Sequence, residues 1–514
     1  MPHSINLKKP GFPAFFCWKF RNTGHNFIFC HCIIGERIME LTGNSSAYKG
    51  LKVLIMGLGL HGGGLESARY LARAGAEVTV TDLRDESILA PSMEKLSGYP
   101  IRYVLGRHDM EDFRQADLVV KNPGVRPDSP YLRDVKRIET DISIFLENSP
   151  ARLLAVTGSK GKSGTSSALH WGLQFARANG KNPLPGKALL GGNITVSPLT
   201  FLDSLEKDDD VVLELSSWQL GDLTGRKTRN GRALLKPRVA VLTAIMPDHL
   251  DRYGTMEAYV RDKKIIYEGQ DKDDLTVASN DSWGREFLGE SRGRPMVYSD
   301  TPLEKGISGG WLTGPRGPGI ARLASGELAE VVPAEIMTPG YHQKKNLLAA
   351  ALGLLDVGID PGVIREAMGS FPGIEHRLEF FHESGNIRFY NDTAATIPEA
   401  AAAAIEAFDT PLVLVTGGTD KNLNFTPLAV NAKKAKAVIL LDGSGSIKLK
   451  DLLEENGVPY LGPFSSVDAA VKAALESAGP GDTVLLSPGC ASFGMFLNEF
   501  DRGRKWKEAV IRLS

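Results

Sequence analysis

The sequence contains few cysteines, no long hydrophobic run and almost no net charge. Four cysteines among 514 residues exclude a disulfide-stabilised scaffold and are typical of a protein in a reducing cytoplasm. The closest approach to a membrane span, residues 27–34, is far shorter than the roughly 20 apolar residues that cross a bilayer. A formal net charge of -1 gives no electrostatic basis for a nucleic-acid or acidic-membrane partner. We therefore expect a cytoplasmic protein without membrane insertion and without a nucleic-acid partner.

Residues 1–45 differ from the rest of the chain. They hold three of the four cysteines, Cys17, Cys30 and Cys32, and these lie near His25 and His31. Because this spacing matches no zinc-ligand pattern with a strong signature, a metal site is the weaker hypothesis and a disordered extension is the stronger one. Met39 is an alternative start, so we expect the extension to be disordered or not translated.

Beyond Leu51 the sequence alternates short apolar runs with helical stretches and glycine-rich turns, which predicts an α/β fold with largely parallel sheets. A chain of this length favours about three domains. Turn-rich seams divide it into 46–148, 149–373 and 374–514. The predicted buried strands are 53–56, 78–81, 118–120, 153–156, 211–215, 239–243, 413–416, 438–441 and 484–487.

The segment TGSKGKS predicts a site for nucleotide phosphates. It lies between a predicted buried strand and a predicted helix, which is the context that such a motif requires. Gly158 and Gly161 allow backbone amides to approach phosphate oxygens, and the helix N-terminus adds partial positive charge. Lys162 supplies a cation for the phosphates, and Ser163 supplies a hydroxyl ligand for Mg²⁺. Val156 stands where the usual early glycine would be, so the loop has the shorter form T-G-x-x-G-K-S.

A second glycine-rich loop lies in the first domain. Gly57, Gly59 and Gly62 form G-x-G-x-x-G after a predicted strand, and Asp82 ends the next strand. By itself this pattern favours an NAD(P)-dependent oxidoreductase. However, the loop at Lys162 has a lysine and a serine suited to nucleotide phosphates, which the first loop lacks. Nothing after that loop is typical of a hydride-transfer site. We therefore expect the first loop to hold a different phosphate-containing molecule, with NAD as the lesser alternative.

Three further residues are candidates for chemistry if the fold brings them together. Glu214 ends a predicted buried strand, where a carboxylate could hold Mg²⁺ or could be purely structural. His249 follows the next predicted strand, and a lone histidine is more often structural than a metal ligand. Lys263 lies on a predicted helix, where a lysine is usually a solvated surface charge.

Taken together, these segments resemble the Mur ligases from about Lys49 to the C-terminus. The motifs that carry the resemblance, in the family's order, are GLGLHGGG, NPGV, TGSKGKS, GGN, LELSSWQL, PDHLDRY, GYHQKKNLLAA, EHRLE, NDTAAT, GGTDK and SPGCASF. The resemblance implies a Rossmann-like N-terminal domain that binds a UDP-sugar and a central P-loop-type domain that binds ATP. It also implies a Rossmann-like C-terminal domain that contacts nucleotide and amino acid.

The resemblance further implies an ATP-dependent acid–amino-acid ligase of peptidoglycan precursor synthesis. Such an enzyme adds D-glutamate to UDP-N-acetylmuramoyl-L-alanine through an acyl phosphate. Its substrates would be ATP, glutamate and the UDP-sugar, its cofactor Mg²⁺, and Lys263 would carry a carbamate. The protein is expected to be a monomer.

Site residues follow from the resemblance motif by motif. The residues expected to bind ATP are Gly158, Ser159, Lys160, Gly161, Lys162, Ser163, Gly164, Asn346, Arg377 and Asp392. Those expected to bind the UDP-sugar are Gly59, Leu60, His61, Asp82, Asn122, Pro123, Gly124, Asn193, Ser216 and Gln219. Those expected to bind the amino acid are Thr396, Lys421 and Ser492. The expected catalytic residues are Lys162, Glu214, His249 and Lys263, and the expected metal ligands are Ser163, Glu214, His249 and the carbamate on Lys263.

The sequence departs from the family pattern at three places. Ala394 stands where the family often has lysine, and the aromatic residue of the segment 497–503 is displaced. Gly164 stands where the family usually has threonine, for which Thr165 is a candidate substitute. The first two departures leave D-glutamate, L-glutamate and other amino acids open. A folylpolyglutamate synthase is disfavoured by residues 50–145, and a non-catalytic UDP-sugar binder is disfavoured by the intact catalytic set.

Overall fold

The computed structural model describes residues 15–22, 25–32, 47–60, 62–179, 184–194 and 196–514. In the extension, β1 (Phe15–Asn22) pairs antiparallel with β2 (His25–Cys32), and only their backbone is described. The zinc hypothesis therefore lies outside the described side chains, His61 lies outside the described residues, and the expectation for residues 1–45 stays a prediction. Among the described helices, none combines the length and the apolar composition that a membrane span requires.

The described part of the chain beyond the extension forms three sheets, of which the first has five parallel strands in the order β5-β4-β3-β6-β7. The strand order reverses beside β3, so the loops after β3 and β6 meet at the carboxyl edge, the usual place for a ligand in such sheets. Its strands are β3 (Lys52–Met56), β4 (Glu77–Asp82), β5 (Ile101–Leu105), β6 (Leu118–Lys121) and β7 (Ile138–Glu139). Its helices are α1 (Gly63–Arg73), α2 (Glu86–Glu94), α3 (Met110–Gln115) and α4 (Asp141–Asn148).

The second sheet has nine strands in the order β16-β15-β14-β13-β12-β11-β8-β10-β9, parallel from β9 to β14 and antiparallel beyond. Its strands are β8 (Arg152–Thr157), β9 (Ala188–Gly192), β10 (Asp210–Glu214), β11 (Val239–Leu242), β12 (Leu275–Ser279), β13 (Arg294–Ser299), β14 (Gly309–Leu312), β15 (Gly319–Arg322) and β16 (Leu328–Val332). Its helices are α5 (Lys162–Asn179), α6 (Ser217–Gly221), α7 (Leu250–Tyr253), α8 (Met256–Glu268), α9 (Ser282–Glu290), α10 (Tyr341–Asp356) and α11 (Pro361–Gly369).

The third sheet has six strands in the order β17-β18-β22-β19-β20-β21, and β17 alone runs antiparallel. Its strands are β17 (Glu379–Ser384), β18 (Ile387–Asn391), β19 (Leu412–Thr416), β20 (Ala437–Leu441), β21 (Tyr460–Phe464) and β22 (Thr483–Leu486). Its helices are α12 (Pro398–Glu406), α13 (Thr426–Asn431), α14 (Ser444–Glu455), α15 (Val467–Ser477) and α16 (Glu499–Leu513).

The predicted α/β class with mostly parallel sheets is confirmed, and each of the predicted strands is present. The first two sheets share one apolar core, in which Leu146 of α4 and Leu199 and Leu202 of the middle segment are buried together. The Phe145 and Phe201 rings meet edge to face with centroids 6.0 Å apart. Because this core is continuous, the carboxyl edges of the two sheets are held facing a common cleft.

Candidate functional site

The phosphate loop joins β8 to α5. Gly158 and Gly161 have φ of 143° and 93°, a region of backbone conformation that favours glycine. A Cβ on Gly158 would collide with the side chain of Thr243, and one on Gly161 would lie 2.5 Å from Oδ1 of Asn346. Neither position accepts a side chain, and the loop leads into an 18-residue helix whose N-terminus favours phosphate.

Two lysines meet at one carbonyl oxygen of this loop. Nζ of Lys162 donates to the carbonyl oxygens of Gly158 and Ser159 at 3.0 and 3.1 Å. Nζ of Lys263 donates to the same Gly158 oxygen at 2.9 Å. Burial, together with repulsion from Lys162, lowers the pKa of Lys263 to about 7. Lys263 therefore has a large neutral fraction near neutral pH, which an exposed lysine does not have.

Helix α8 carries Lys263 into the protein interior. The helix begins after Thr255, whose side chain accepts a hydrogen bond from the amide of Ala258, as expected of an N-cap residue. The side chain of Lys263 is buried, and its Nζ lies 4.5 Å from the centroid of the Tyr259 ring. The Tyr259 hydroxyl is 3.0 Å from Oγ of Ser159 in the phosphate loop. Lys263 is thus part of the site rather than a solvated surface charge.

Glu214 is the last residue of β10 and is 1% exposed. Its Oε1 accepts a hydrogen bond from Nδ2 of Asn193 at 2.9 Å, and its Oε2 accepts one from Oγ of Ser166 at 3.3 Å. Within the described ranges no ion pair neutralises it, and a buried carboxylate with neutral donors alone favours a cation nearby. Glu214 and Asp248 also oppose the lowering of the Lys162 pKa that burial causes.

His249 precedes α7 with a left-handed φ of 51°, which few non-glycine residues adopt. Its ring centroid lies 5.0 Å from that of Trp218 and 6.5 Å from that of Tyr259. The described residues contain no group of three His, Cys, Asp or Glu side chains that could hold a metal. Glu214 and His249 therefore do not form a closed metal centre with other such side chains.

A cavity of about 460 Å³ opens between the first and second sheets. Of the predicted site residues, its lining includes Gly59, Leu60, Asn122, Pro123, Gly124, Lys162, Asn193, Ser216, Gln219, His249 and Lys263. It also includes residues that the sequence reasoning missed, among them Arg84, Asp141, Ser197, Trp218, Asp248 and Tyr259. Trp218 and Asp248 lie inside motifs already quoted, so a signal for them existed. Asp141 and Ser197 are joined by a 2.9 Å hydrogen bond across the two domains, which no local sequence pattern reveals.

The loops of the first domain are held by their own side chains. Asp82 accepts hydrogen bonds from the amides of Leu58 at 2.9 Å and Gly59 at 3.3 Å. Asn122 accepts one from the amide of Gly124 at 3.0 Å. Asp82 therefore fixes the glycine-rich loop and does not itself line the described cavity.

Ser216 and Gln219 are also bonded to each other. Oγ of Ser216 accepts from the amide of Gln219 at 3.2 Å, while Oε1 of Gln219 accepts from the amide of Ser216 at 3.0 Å. This capping box starts α6 and presents both side chains at the cavity wall.

The predicted nucleotide-binding residues outside the phosphate loop lie on α10 of the middle domain and in the third domain. Asn346 of α10 lies against Gly161 and Gly164. Arg377 is exposed, and its charge contributes to the lowered pKa of Lys162. Asp392 is buried, with hydrogen bonds from Oγ of Ser487 at 2.7 Å and the amide of Leu378 at 3.2 Å. Burial raises its pKa to about 7.

The three residues predicted to bind the amino acid do not line the described cavity. Thr419 and Ala491 form an isolated antiparallel bridge, which brings the loop with Lys421 beside the loop with Ser492. Lys421 is exposed, Ser492 is buried and Thr396 is half-buried. These two loops form a separate surface on the third sheet.

The loop that contains Ala394 contacts the segment 497–503, and both are departures from the family pattern. Oγ1 of Thr393, the neighbour of Ala394, donates to the carbonyl oxygen of Glu499 at 2.9 Å. Nε of the buried Arg502 donates to the same hydroxyl at 2.9 Å. The segment 497–503 and the loop at Ala394 are thus one structural unit.

Family profiles match three consecutive parts of the chain. The Mur ligase MurD-like N-terminal domain matches residues 51–144. The Mur ligase middle domain matches residues 156–354, and the Mur ligase glutamate ligase domain matches residues 376–490. The three profiles follow the order of the three sheets.

Curated relatives are similar over nearly their whole length. The UDP-N-acetylmuramoylalanine–D-glutamate ligase of Treponema pallidum (strain Nichols) is 40% identical over 531 residues, which covers 90% of this chain and 98% of that protein. The protein of the same name from Roseiflexus sp. (strain RS-1) is 41% identical over 485 residues, with the same two coverages.

Solved structures share the fold at low sequence identity. MurF from Acinetobacter baumannii has a TM-score of 0.52 at 15% identity and covers 90% of this chain and 94% of its own. The UDP-N-acetylmuramate-alanine ligase MurC from Thermotoga maritima has a TM-score of 0.50 at 19% identity and covers 90% of this chain and 100% of its own.

Proposed function

The chain belongs to the Mur ligase family and is an ATP-dependent ligase of peptidoglycan synthesis, and we propose in detail how its residues join D-glutamate to UDP-N-acetylmuramoyl-L-alanine. The near-full-length relatives support this specificity, since both carry D-glutamate ligase in their names. The alternatives that the sequence left open, L-glutamate or another amino acid, become outcomes of the test below.

The observation that carries the proposal is the shared cavity. One wall holds Gly59 and the 122–124 turn of the first domain, and the opposite wall holds Lys162 and Lys263. A UDP-sugar held on the first wall would present its alanyl carboxylate to ATP held on the second. Such placement is the main requirement for phosphoryl transfer, which depends on positioning and charge stabilisation.

The reaction then proceeds in two steps. The alanyl carboxylate oxygen attacks the γ-phosphorus of ATP, the bond to the β,γ-bridging oxygen breaks, and ADP leaves. Lys162 stabilises the charge that develops on the phosphoryl oxygens. The glutamate amine attacks the resulting acyl phosphate, loses a proton, and phosphate leaves as the amide forms.

Mg²⁺ is expected in this family, and the donor set at the loop fits it. We assign Ser163, Glu214 and His249 as the side chains that would hold it. When bound, the ion neutralises phosphate charge and orients the phosphates. Glu214 suits this role because it is buried and its described partners are neutral donors.

A carbamate on Lys263 is part of the proposal. A neutral amine adds to carbon dioxide, and the pKa of about 7 at Lys263 supplies neutral amine near physiological pH. The nitrogen releases a proton to solvent as the N–C bond forms, and the product is an anion beside Lys162. An attractive pair therefore takes the place of a lysine whose protonated form is repelled by Lys162. That anion is a further oxygen ligand within reach of the loop.

We assign the remaining predicted residues as the sequence suggested. Asn346, Arg377 and Asp392 would contact the nucleotide, and Thr396, Lys421 and Ser492 the glutamate. The three domains 46–148, 149–373 and 374–514 would bind UDP-sugar, ATP, and amino acid with nucleotide, respectively. Asp82 would act by holding the glycine-rich loop, and the enzyme would work as a cytoplasmic monomer.

The test is phosphate release from ATP in the presence of UDP-N-acetylmuramoyl-L-alanine and a panel of D- and L-amino acids. We expect release with D-glutamate and none when either the sugar nucleotide or the amino acid is omitted. Release with L-glutamate alone would keep the mechanism and change the substrate. No release with any amino acid, combined with tight NAD binding, would support the oxidoreductase alternative.

A further inference from the structure

Lys121 and Asp222 form a buried ion pair across the boundary between the first and second domains. Lys121 is the last residue of β6, and Asp222 directly follows α6. Nζ of Lys121 lies 2.7 Å from Oδ2 of Asp222, and both side chains are 4% exposed. Neither residue belongs to a motif assigned above to substrate, metal or nucleotide.

The same ammonium group closes the turn that follows β6. Nζ of Lys121 donates to the carbonyl oxygen of Val125 at 3.0 Å. Within the turn, the amide of Val125 donates to the carbonyl oxygen of Asn122 at 2.9 Å, and Asn122 holds the amide of Gly124. The ammonium group of Lys121 therefore holds the C-terminal end of the turn 122–125. The carboxylate of Asp222, in the second domain, neutralises that ammonium group.

Asp222 is hydrogen-bonded to α6, the helix that lines the cavity. Its amide donates to the carbonyl oxygen of Trp218 at 3.1 Å, and its carbonyl oxygen accepts from Nε of Arg226 at 2.8 Å. Nη1 of Arg226 in turn donates to Oε2 of Glu139, in the first domain, at 2.6 Å. Two ion pairs thus connect the segment that directly follows α6 with the first sheet.

Stability alone is a poor reason for such a pair. Removing two charges from water costs several kcal/mol, and replacing a buried pair by apolar side chains is often neutral or stabilising. An apolar pair, however, cannot donate a hydrogen bond to the Val125 carbonyl. What the charged pair adds is therefore a fixed position of the turn relative to α6.

We propose that Lys121 and Asp222 are positioning residues that lock the turn 122–125 against α6, so that the sugar nucleotide is bound in register with the phosphate loop. The inference rests on the proposed function, because it takes the turn to be part of the sugar-nucleotide site. Neither residue lines the described cavity, so both act through the turn and the helix.

The experiment compares wild-type enzyme with the double variant Lys121→Met/Asp222→Leu. We expect the double variant to unfold at a similar denaturant concentration, while its KM for UDP-N-acetylmuramoyl-L-alanine rises about tenfold through loss of a charged hydrogen bond. The KM for ATP should stay within twofold, since the phosphate loop is untouched. A control variant, Lys434→Met/Glu406→Gln, removes an exposed pair of the third domain and should change neither constant.

Two single variants keep the test decisive if the double variant folds poorly. Asp222→Asn retains an acceptor for Lys121, so its KM for the sugar nucleotide should rise less than that of Lys121→Met. Equal sugar-nucleotide KM values in wild type and Lys121→Met, in folded protein, would overturn the inference. If wild-type enzyme itself releases no phosphate, the proposed function fails instead, and calorimetric binding of the sugar nucleotide to the same variants then decides on the pair.

Discussion

Nζ of Lys263 lies 2.9 Å from the carbonyl oxygen of Gly158, on the loop where Lys162 also donates. Two cations on one carbonyl oxygen repel each other, and the repulsion adds to burial in lowering the pKa of Lys263. Modification of Lys263 to an anion would relieve that repulsion. The arrangement is therefore the physical basis for treating Lys263 as a reactive amine.

The first prediction concerns the loss of that amine. Lys263→Ala should lower kcat by roughly 100-fold or more, because it removes the carbamate oxygen proposed as a ligand of the Mg²⁺ that neutralises the transferred phosphoryl group. Short carboxylates added to the assay should restore part of the activity by taking the place of the carbamate. Phosphate release measured with and without added carboxylate checks both statements.

The neighbouring lysine provides the control for this prediction. Lys264 is paired with Glu286 and Glu290 at 2.6 and 2.7 Å on the surface of α8. Lys264→Ala should leave kcat nearly unchanged and gain nothing from added carboxylates. Full activity of Lys263→Ala would remove the proposed role of the carbamate.

The second prediction concerns Gly164, where the family usually has threonine. A Cβ there would lie 2.7 Å from Nδ2 of Asn346 and 3.1 Å from Oε1 of Gln343. Helix propensity favours alanine over glycine by about 1 kcal/mol, but the contact opposes it and displaces Asn346. We therefore expect Gly164→Ala to raise the KM for ATP several-fold, as measured by steady-state kinetics.

Gly289 is a matched control for that substitution. It also lies in a helix, α9, but a Cβ there would meet no atom within 4 Å. Gly289→Ala should increase the free energy of unfolding by about 0.5–1 kcal/mol and leave the kinetics unchanged. If Gly164→Ala behaves in the same way as Gly289→Ala, the contact with Asn346 does not control the ATP site.

Local patterns predicted the strands well because parallel strands buried on both faces leave continuous apolar runs. The run at 211–215 corresponds to β10 shifted by one residue, and the run at 239–243 corresponds to β11 with its last residue left out. The phosphate loop was equally visible, since its glycines and Lys162 are consecutive in sequence.

Features that depend on packing between distant segments could not be predicted. The burial of Lys263 arises only when α8 packs against the phosphate loop, and the Asp141–Ser197 bond only when two domains meet. Asp82 was expected at the sugar nucleotide, yet its carboxylate is occupied by loop amides. Motif matching identifies a residue type at a position and leaves its partners undetermined.

The third prediction concerns the separate surface formed by the Lys421 and Ser492 loops. Lys421 is exposed, so its ammonium group is free to meet a carboxylate of the incoming amino acid. Lys421→Met should raise the KM for glutamate by about tenfold, the cost of a charge-assisted hydrogen bond, with little effect on the KM for ATP. Lys450→Met, on the same domain and beside Glu454, is the control. Equal glutamate KM values for the two variants would place the amino-acid site elsewhere.

The fourth prediction concerns the stability of the third domain as a function of pH. Burial raises the pKa of Asp392 from 3.8 to about 7, although the hydrogen bond from Ser487 acts in the opposite direction. An acid whose pKa is higher in the folded than in the unfolded state binds its proton more tightly when folded. Its contribution therefore favours folding at low pH and is lost progressively as pH rises from about 4 to about 7.

Asp392→Asn removes this pH dependence and keeps a side chain of the same size that can still bond Ser487 and the amide of Leu378. The stability of the variant relative to wild type should therefore increase between pH 5 and pH 8, by on the order of 2 kcal/mol. Chemical denaturation at a series of pH values measures this difference. Ser487→Ala, which removes a hydrogen bond to the ionised form, should shift the midpoint of the pH dependence upward. A stability difference that is constant over this range would mean that Asp392 is already ionised in the folded protein at pH 5.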